Sequence, residues 1–123
     1  MASLNKVVFI GNMVADPELK QTASGKSVAN FSIAINRSFV SEEAKKAGAV
    51  DVDFFNVVVW GKQADFVCTY FSKGEPIFVL GQLQNRKWTD NDGGTHYATE
   101  VIADEVSFVR SKENGEQKQN FGA

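Results

Sequence analysis

Most of this chain alternates apolar and polar positions with the period of two that marks strands burying one face. Residues 5–11, NKVVFIG, are a β-rich run that stops at glycine. In residues 28–35, VANFSIAI, the side chains of Phe31, Ile33 and Ile35 fall on one side, with Val28 out of step. Between these runs lies ADPELKQTASGKS, where Asp16-Pro17 and Ser24-Gly25 are turn signals. Residues 41–51, SEEAKKAGAVD, are small and charged and predict a long loop. VDFFNVVVW follows, dense in β-branched and aromatic residues, and ends at Gly61. The period then changes. Ala64, Val67, Cys68 and Phe71 stand at i, i+3, i+4 and i+7, which predicts a helix over 62–73. Gly74 reads as its cap, and Pro76 keeps the helix from continuing. IFVLGQLQNRKW and THYATEVIADEVSFVR, joined through Asp90, Asn91, Asp92, Gly93 and Gly94, predict a long hairpin.

Three strands, one helix and a hairpin predict an all-β closed barrel. The OB-fold, a five-stranded Greek-key barrel with one helix between the third and fourth strands, has this order. Ubiquitin-like and SH3-like arrangements compete, but neither places a single helix there as naturally. The 123 residues suffice for one domain and not for two ordinary ones. We expect that domain over 1–110, followed by a polar, disordered C-terminal segment over 111–123. At 43% hydrophobic residues, wholesale disorder is not expected. No apolar run approaches the roughly 20 residues of a membrane span, so no membrane association is expected. The N-terminus lacks the basic start and cleavage site of a signal peptide. One cysteine, Cys68, makes no internal disulfide, which fits a reducing cytoplasm.

Charge leaves one important class open. A net charge of −2 argues against a generally sticky cation. Nucleic-acid affinity, however, depends on where the basic side chains sit. Glu42, Glu43, Asp51, Asp53, Asp90 and Asp92 cluster in predicted loops, which separates charge locally. Residues two apart share a strand face. Counting back from Trp88 puts Arg86, Gln84 and Gln82 on one face, and Leu83, Asn85 and Lys87 on the other. In the strand before the helix, Trp60, Val58, Asn56 and Phe54 share a face. Phe55, Val57 and Val59 form the opposite, apolar one, assigned to the core or a subunit contact. Two strands thus offer mixed aromatic and polar faces. Bases stack on such surfaces at ~1–3 kcal/mol each with little regard to sequence. Duplex DNA hides its base faces, so the pattern suits single strands. Lys62, Lys73, Arg37 and Lys87 are candidates for phosphate contacts, which makes affinity fall with salt.

Each feature also has an ordinary reading. A lone strand aromatic is more often core than platform. Arg86 and Lys87 can simply blunt an exposed edge against aggregation, and Phe54 can pack under the 41–51 loop. It is the combination that raises the ligand reading. Phe39 falls by alternation on the side of Phe31, Ile33 and Ile35, but Arg37 shares that side, so the strand is expected to leave the barrel near Asn36. Enzyme readings find little support. His96 is the only histidine, Cys68 lies on the apolar helix face, and no nucleophile elbow, metal-spaced cluster or Walker loop is present. Asp104 and Glu105 are adjacent, so they point opposite ways on a strand. Neither catalysis nor a cofactor is expected.

Five blocks, NKVVFIGNMVADPEL, SGKSVANFSIAINR, FNVVVWGKQAD, YFSKGEPIFVLGQLQNRKWTD and YATEVIADEV, resemble the bacterial-type single-stranded DNA-binding proteins from about Asn5 to Val109. They are specific together and not singly. The resemblance implies an OB-fold core, usually a homotetramer, that wraps single-stranded DNA in replication, recombination and repair. It implies stacking at positions matching Phe39, Phe54, Trp60 and Trp88, and phosphate contacts at positions matching Lys6, Lys62, Lys73, Arg86 and Lys87. Phe39 rests on the resemblance alone. Several members carry Trp where this chain has Phe39 and Phe54, and some carry a polar residue where Phe55 stands, near a subunit contact. Members generally add a flexible linker and an acidic tip that recruits partners. This chain stops at KQNFGA with neither, so recruitment through a tail is not expected of it. Two alternatives are an OB protein turned assembly factor, like the primosomal relatives, and an RNA-binding module. The first would have lost the aromatic platform, which is kept here. The second would read the 2′-hydroxyl, for which no residue speaks.

Overall fold

A computed structural model describes residues 2–37, 42–43 and 51–109 of the chain. The expectations for Phe39 and for the 111–123 segment lie outside the described residues. The strands are β1 (Val7–Met13), β2 (Glu18–Gln21), β3 (Ser27–Asn36), β4 (Val52–Trp60), β5 (Pro76–Thr89) and β6 (Thr95–Phe108), with helix α1 (Lys62–Tyr70) between β4 and β5. They hydrogen-bond in the order β1-β5-β6-β4-β3-β2, and β1 also pairs with β3. That last pairing, Asn12 with Ala34 and Met13 with Ile33, closes a five-stranded barrel. β4 and β6 run parallel at Val57–Val101 and Val58–Ile102, and every other pair is antiparallel. This is the all-β OB-type barrel that the element order predicts.

β2 corrects the expected strand count. ELKQ has all four residues exposed, so no apolar alternation marks it. It is a strand because the turn after it returns the chain onto β3, from Glu18 opposite Asn30 to Gln21 opposite Ser27. Gly25 adopts φ 88° in that turn, and the Thr22 N–H donates to the Lys26 carbonyl at 2.9 Å. Among the strands that close the barrel, the helix still lies between the third and fourth; counting β2, it lies between the fourth and fifth.

The core forms where the alternating faces meet. Phe31 and Ile33 of β3, Val57 and Val59 of β4, Ile77 and Val79 of β5, and Val101 and Val106 of β6 are all buried. α1 closes one end of the barrel with Ala64 and Val67. The helix is shorter than expected. Phe71 is already extended (φ −119°, ψ 144°), and its N–H donates to the Val67 carbonyl. It nevertheless stays buried, because the extended chain still points it into the core. Gly74 is therefore not the helix cap. It sits further on at φ 90° and ties the turn to β1 by an N–H bond to the Met13 carbonyl.

One irregularity positions everything that follows. The β5–β6 register shifts between Leu80, opposite Glu105, and Gly81, opposite Ala103, which leaves Asp104 as the bulged residue. Asp104 and Glu105 therefore do not follow the simple alternation expected of neighbours. A bulge bends a strand and increases its twist. Beyond it, Gln82 to Trp88 are exposed on both faces, and the hairpin runs on as a two-stranded ribbon past the barrel.

Candidate nucleic-acid interface

Register turns four strands into one continuous outer face. Gln82, Ile102, Val58 and Asn30 stand in one row across β5, β6, β4 and β3. The row extends to Lys6, because Val7 pairs with Gly81 and the Asn5 side chain bonds the Leu83 backbone. Toward the hairpin tip, this face carries the cross-strand pairs Gln84–Glu100, Arg86–Ala98 and Trp88–His96. On β4 it carries Asn56 and Phe54; the Ser32 hydroxyl donates to Asn56 Oδ1 at 2.7 Å. Trp60 stands at the opposite end, where α1 begins. Phe54 is 63%, Trp60 44% and Trp88 39% exposed. Isolated exposed aromatics are ordinary, but three on one polar face form a surface that offers flat π area to solvent.

Around Trp88 the contacts are dense. The Arg86 guanidinium lies 4.5 Å from the indole centroid, within cation–π range. The His96 ring stacks on Trp88 at 5.4 Å between centroids and 24° between planes. His96 Nε2 in turn pairs with Asp90 Oδ2. Asp90 Oδ1 accepts the N–H groups of Asp92 and Gly94, which fixes the turn. The bonds from His96 and from the Gly94 backbone hold the Asp90 carboxyl below the usual carboxylate range.

The basic candidates divide into groups. Arg86 lies on the outer face, with its Nε donating to Glu100 Oε2 at 3.2 Å. Lys6 lies at the edge of that face, 3.6 Å from Asp104. Lys62 opens α1 two residues after Trp60 and is exposed. Lys73 sits in the turn after α1, at the barrel end the helix closes, its N–H bonded to Asp16. Two candidates are not brought onto the face. Lys87 points to the other side of the ribbon, with Nζ 6.0 Å from the Tyr97 centroid. Arg37 forms a bidentate pair with Asp53 at 2.9 and 3.0 Å, on the side of β4 that carries Phe55. That hydrogen bond lowers the Asp53 pKa and raises that of Arg37. Gln84 stands where the alternation predicts, beside Glu100.

Face counting on β5 alone missed His96, Glu100 and Tyr97. The signal was available: the Asp90–Gly94 turn sets Trp88 opposite His96, and the rest follows by twos. The other named side chains sit quietly. Phe55 is half-buried and stacks on Phe9 at 4.7 Å. Burial, and then the Asp65 carboxylate, push the Cys68 thiol above its ordinary pKa, opposite to what a reactive cysteine requires. Among the described residues no group of three or more His, Cys, Asp or Glu could hold a metal ion, and no helix is long and apolar enough to cross a membrane.

Comparison with known proteins reaches the same region of chain. The model of the single-strand binding protein family matches residues 4–109. A single-stranded DNA-binding protein of Halalkalibacterium halodurans is 39% identical over 123 residues, covering 97% of this chain and 71% of the relative. One from Oceanobacillus iheyensis is 40% identical over 109 residues, covering 89% and 65%. Single-stranded DNA-binding protein 3 of Clostridium acetobutylicum is 45% identical over 107 residues, covering 86% and 71%. With the barrel, its outer aromatic face and this match in agreement, the chain belongs to the single-strand binding protein family.

Proposed function

We propose that this chain binds and protects single-stranded DNA, with little sequence preference, during replication, recombination and repair. Bases stack on Phe54, Trp60 and Trp88, and on Phe39 by resemblance. Phosphates meet Arg86, Lys6, Lys62 and Lys73, while Gln84 adds a polar contact. Lys87 and Arg37 flank the path from neighbouring surfaces rather than from the aromatic face. The observation that carries this reading is the register itself, which joins Trp60, Phe54 and Trp88 on one solvent-facing sheet surface. The relatives' names point the same way. The work is binding, not catalysis, and it belongs in the bacterial cytoplasm, at the nucleoid.

The test follows tryptophan fluorescence as poly-dT is added, because the chain's two tryptophans both lie on this face. Poly-dT is expected to quench strongly and duplex DNA not to, with affinity falling as salt rises. An unmoved signal, together with no binding of a labelled strand, would reject the reading.

The same proposal includes a homo-oligomer, most simply the family's tetramer, which offers the strand several such faces in sequence. Supporting it, among the described residues β1 pairs with β3 only through Asn12 and Met13, which leaves the edge from Val7 to Ile10 without a strand partner among them. The outward-facing Val8 and Ile10 are 60% and 51% exposed there, beside half-buried Phe78 and Leu80 of β5. An apolar face along an open edge suits a second copy. Sedimentation at micromolar concentration is expected to give a mass of four chains; a monomer at that concentration would remove this part.

A further inference from the structure

A carboxylate stands in the middle of the face that is proposed to receive a polyanion. Glu100 is directly opposite Gln84, one cross-strand pair from Arg86 and two from Trp88. Its side chain is only 17% exposed, against 52% for Arg86, and it accepts the Arg86 Nε–H at 3.2 Å. The same guanidinium lies over the Trp88 ring. Before any ligand arrives, the arginine best placed to meet a phosphate beside Trp88 already has an anion.

We propose that Glu100 competes with the DNA phosphate for Arg86 and thereby limits how tightly the Trp88 end of the path is held. This rests on the single-strand-binding reading above. A guanidinium has five N–H groups in a planar fork, so a phosphate can approach the Nη side while Glu100 keeps Nε. The two anions then repel across one cation. If the phosphate instead takes the whole fork, Glu100 is left without its cation beside the bound phosphate. Either route lowers affinity. Either also reduces the ion release that Arg86 contributes on binding, because an arginine shared with Glu100 neutralises the phosphate less and so displaces less of the cation condensed on the DNA. The physical consequence is an exchangeable end: bases remain stacked on Trp88, while the phosphate grip beside it stays loose enough to let go.

The inference opposes another role Glu100 could have, that of a brace holding Arg86 in its binding pose. The two roles predict opposite signs. Competition predicts that Glu100→Gln, which keeps the shape and removes the charge, binds oligo-dT about two- to fivefold tighter at low salt, the range an exposed ion pair spans. It also predicts a plot of log affinity against log salt steeper by about 0.7, the share of one phosphate contact on a single strand. Affinities of the two proteins then converge at high salt. Arg86→Gln goes the other way, binding more weakly with a flatter slope.

The experiment titrates wild type, Glu100→Gln and Arg86→Gln with labelled oligo-dT at four or more salt concentrations, after thermal melts confirm that each is folded. Tighter binding and a steeper slope for Glu100→Gln support the proposal. If wild type binds and Glu100→Gln is unchanged or weaker, the competition is refuted and single-strand binding stands. If wild type itself does not bind oligo-dT, the underlying reading fails and takes this inference with it. Should Glu100→Gln not fold, Glu100→Ala with the same salt series carries the same opposed predictions.

Discussion

Replacing Trp88 with alanine is expected to weaken oligo-dT binding about 5- to 150-fold while leaving the melting temperature nearly unchanged. The range follows from ~1–3 kcal/mol for a base stacked on one aromatic ring and a tenfold change per 1.4 kcal/mol. The separation of binding from stability follows from where Trp88 sits. It lies on the ribbon past the bulge, 39% exposed, and is not among the buried residues of the core. Its ordered neighbours are Arg86 and His96, themselves exposed. Alanine therefore removes stacking area and a cation–π contact without opening a core cavity. Trp88→Phe is expected to recover most of the binding, since a smaller ring still stacks. Titration of both variants, with thermal melts alongside, checks this. Wild-type affinity in Trp88→Ala would mean that the outer face does not carry the bases.

The second large effect is on the fold. Gly81→Ala is expected to destabilise the barrel by ~3 kcal/mol, in the upper range for forcing extra volume into a packed site. For a domain of this size that lowers the melting temperature by about 10–20 °C. A Cβ at Gly81 would stand 2.2 Å from the Ile102 carbonyl oxygen and 3.0 Å from the Ala103 Cα. Both are backbone atoms of β6, so no side-chain rotation relieves the clash. The two strands must separate at the bulge, where β5 leaves the barrel. Because that bulge also aims the ribbon, loss of DNA affinity is expected to accompany loss of stability, unlike in Trp88→Ala. The comparison glycine is Gly94, where the nearest atoms a Cβ meets are those of the Asp90 carboxylate, at 3.2 Å or more. Gly94→Ala is expected to cost far less. Denaturant melts of the two variants measure the difference, and equal stabilities would sink the close-approach argument.

How far the chain could be read without coordinates differs from element to element. β3 and the first half of β4 were legible because each buries one face more than the other, with Phe31 and Ile33 inward and Phe54 and Asn56 outward; past Asn56 the alternation lapses, since Val57, Val58 and Val59 are all buried. β2 was not, because an edge strand with both faces exposed has no apolar period. The helix was legible by its i, i+3, i+4 stripe but overrun at its end. Phe71 satisfies the helical period and is buried, yet it is extended. Period reports which side is buried, not which backbone reaches it.

The site divides along the same line. Trp60, Phe54, Gln84, Arg86 and Trp88 each lie on a strand whose own sequence sets their parity, and counting by twos placed all five correctly. Lys87 is adjacent to Arg86 and Trp88 in sequence, but parity sends it across the ribbon to Tyr97. His96 and Glu100 belong to another strand, and their meeting with Trp88 and Arg86 depends on hairpin register. The sequence by itself determined an all-β chain with one helix after the third of the strands that close its barrel, and which side of the core strands is buried, because burial writes those facts locally, one residue in two. Only the tertiary structure decided which strands lie side by side, where the bulge turns β5 outward, and that a carboxylate from β6 meets the arginine of β5. Those depend on pairing between segments far apart in the chain, and no local period encodes it.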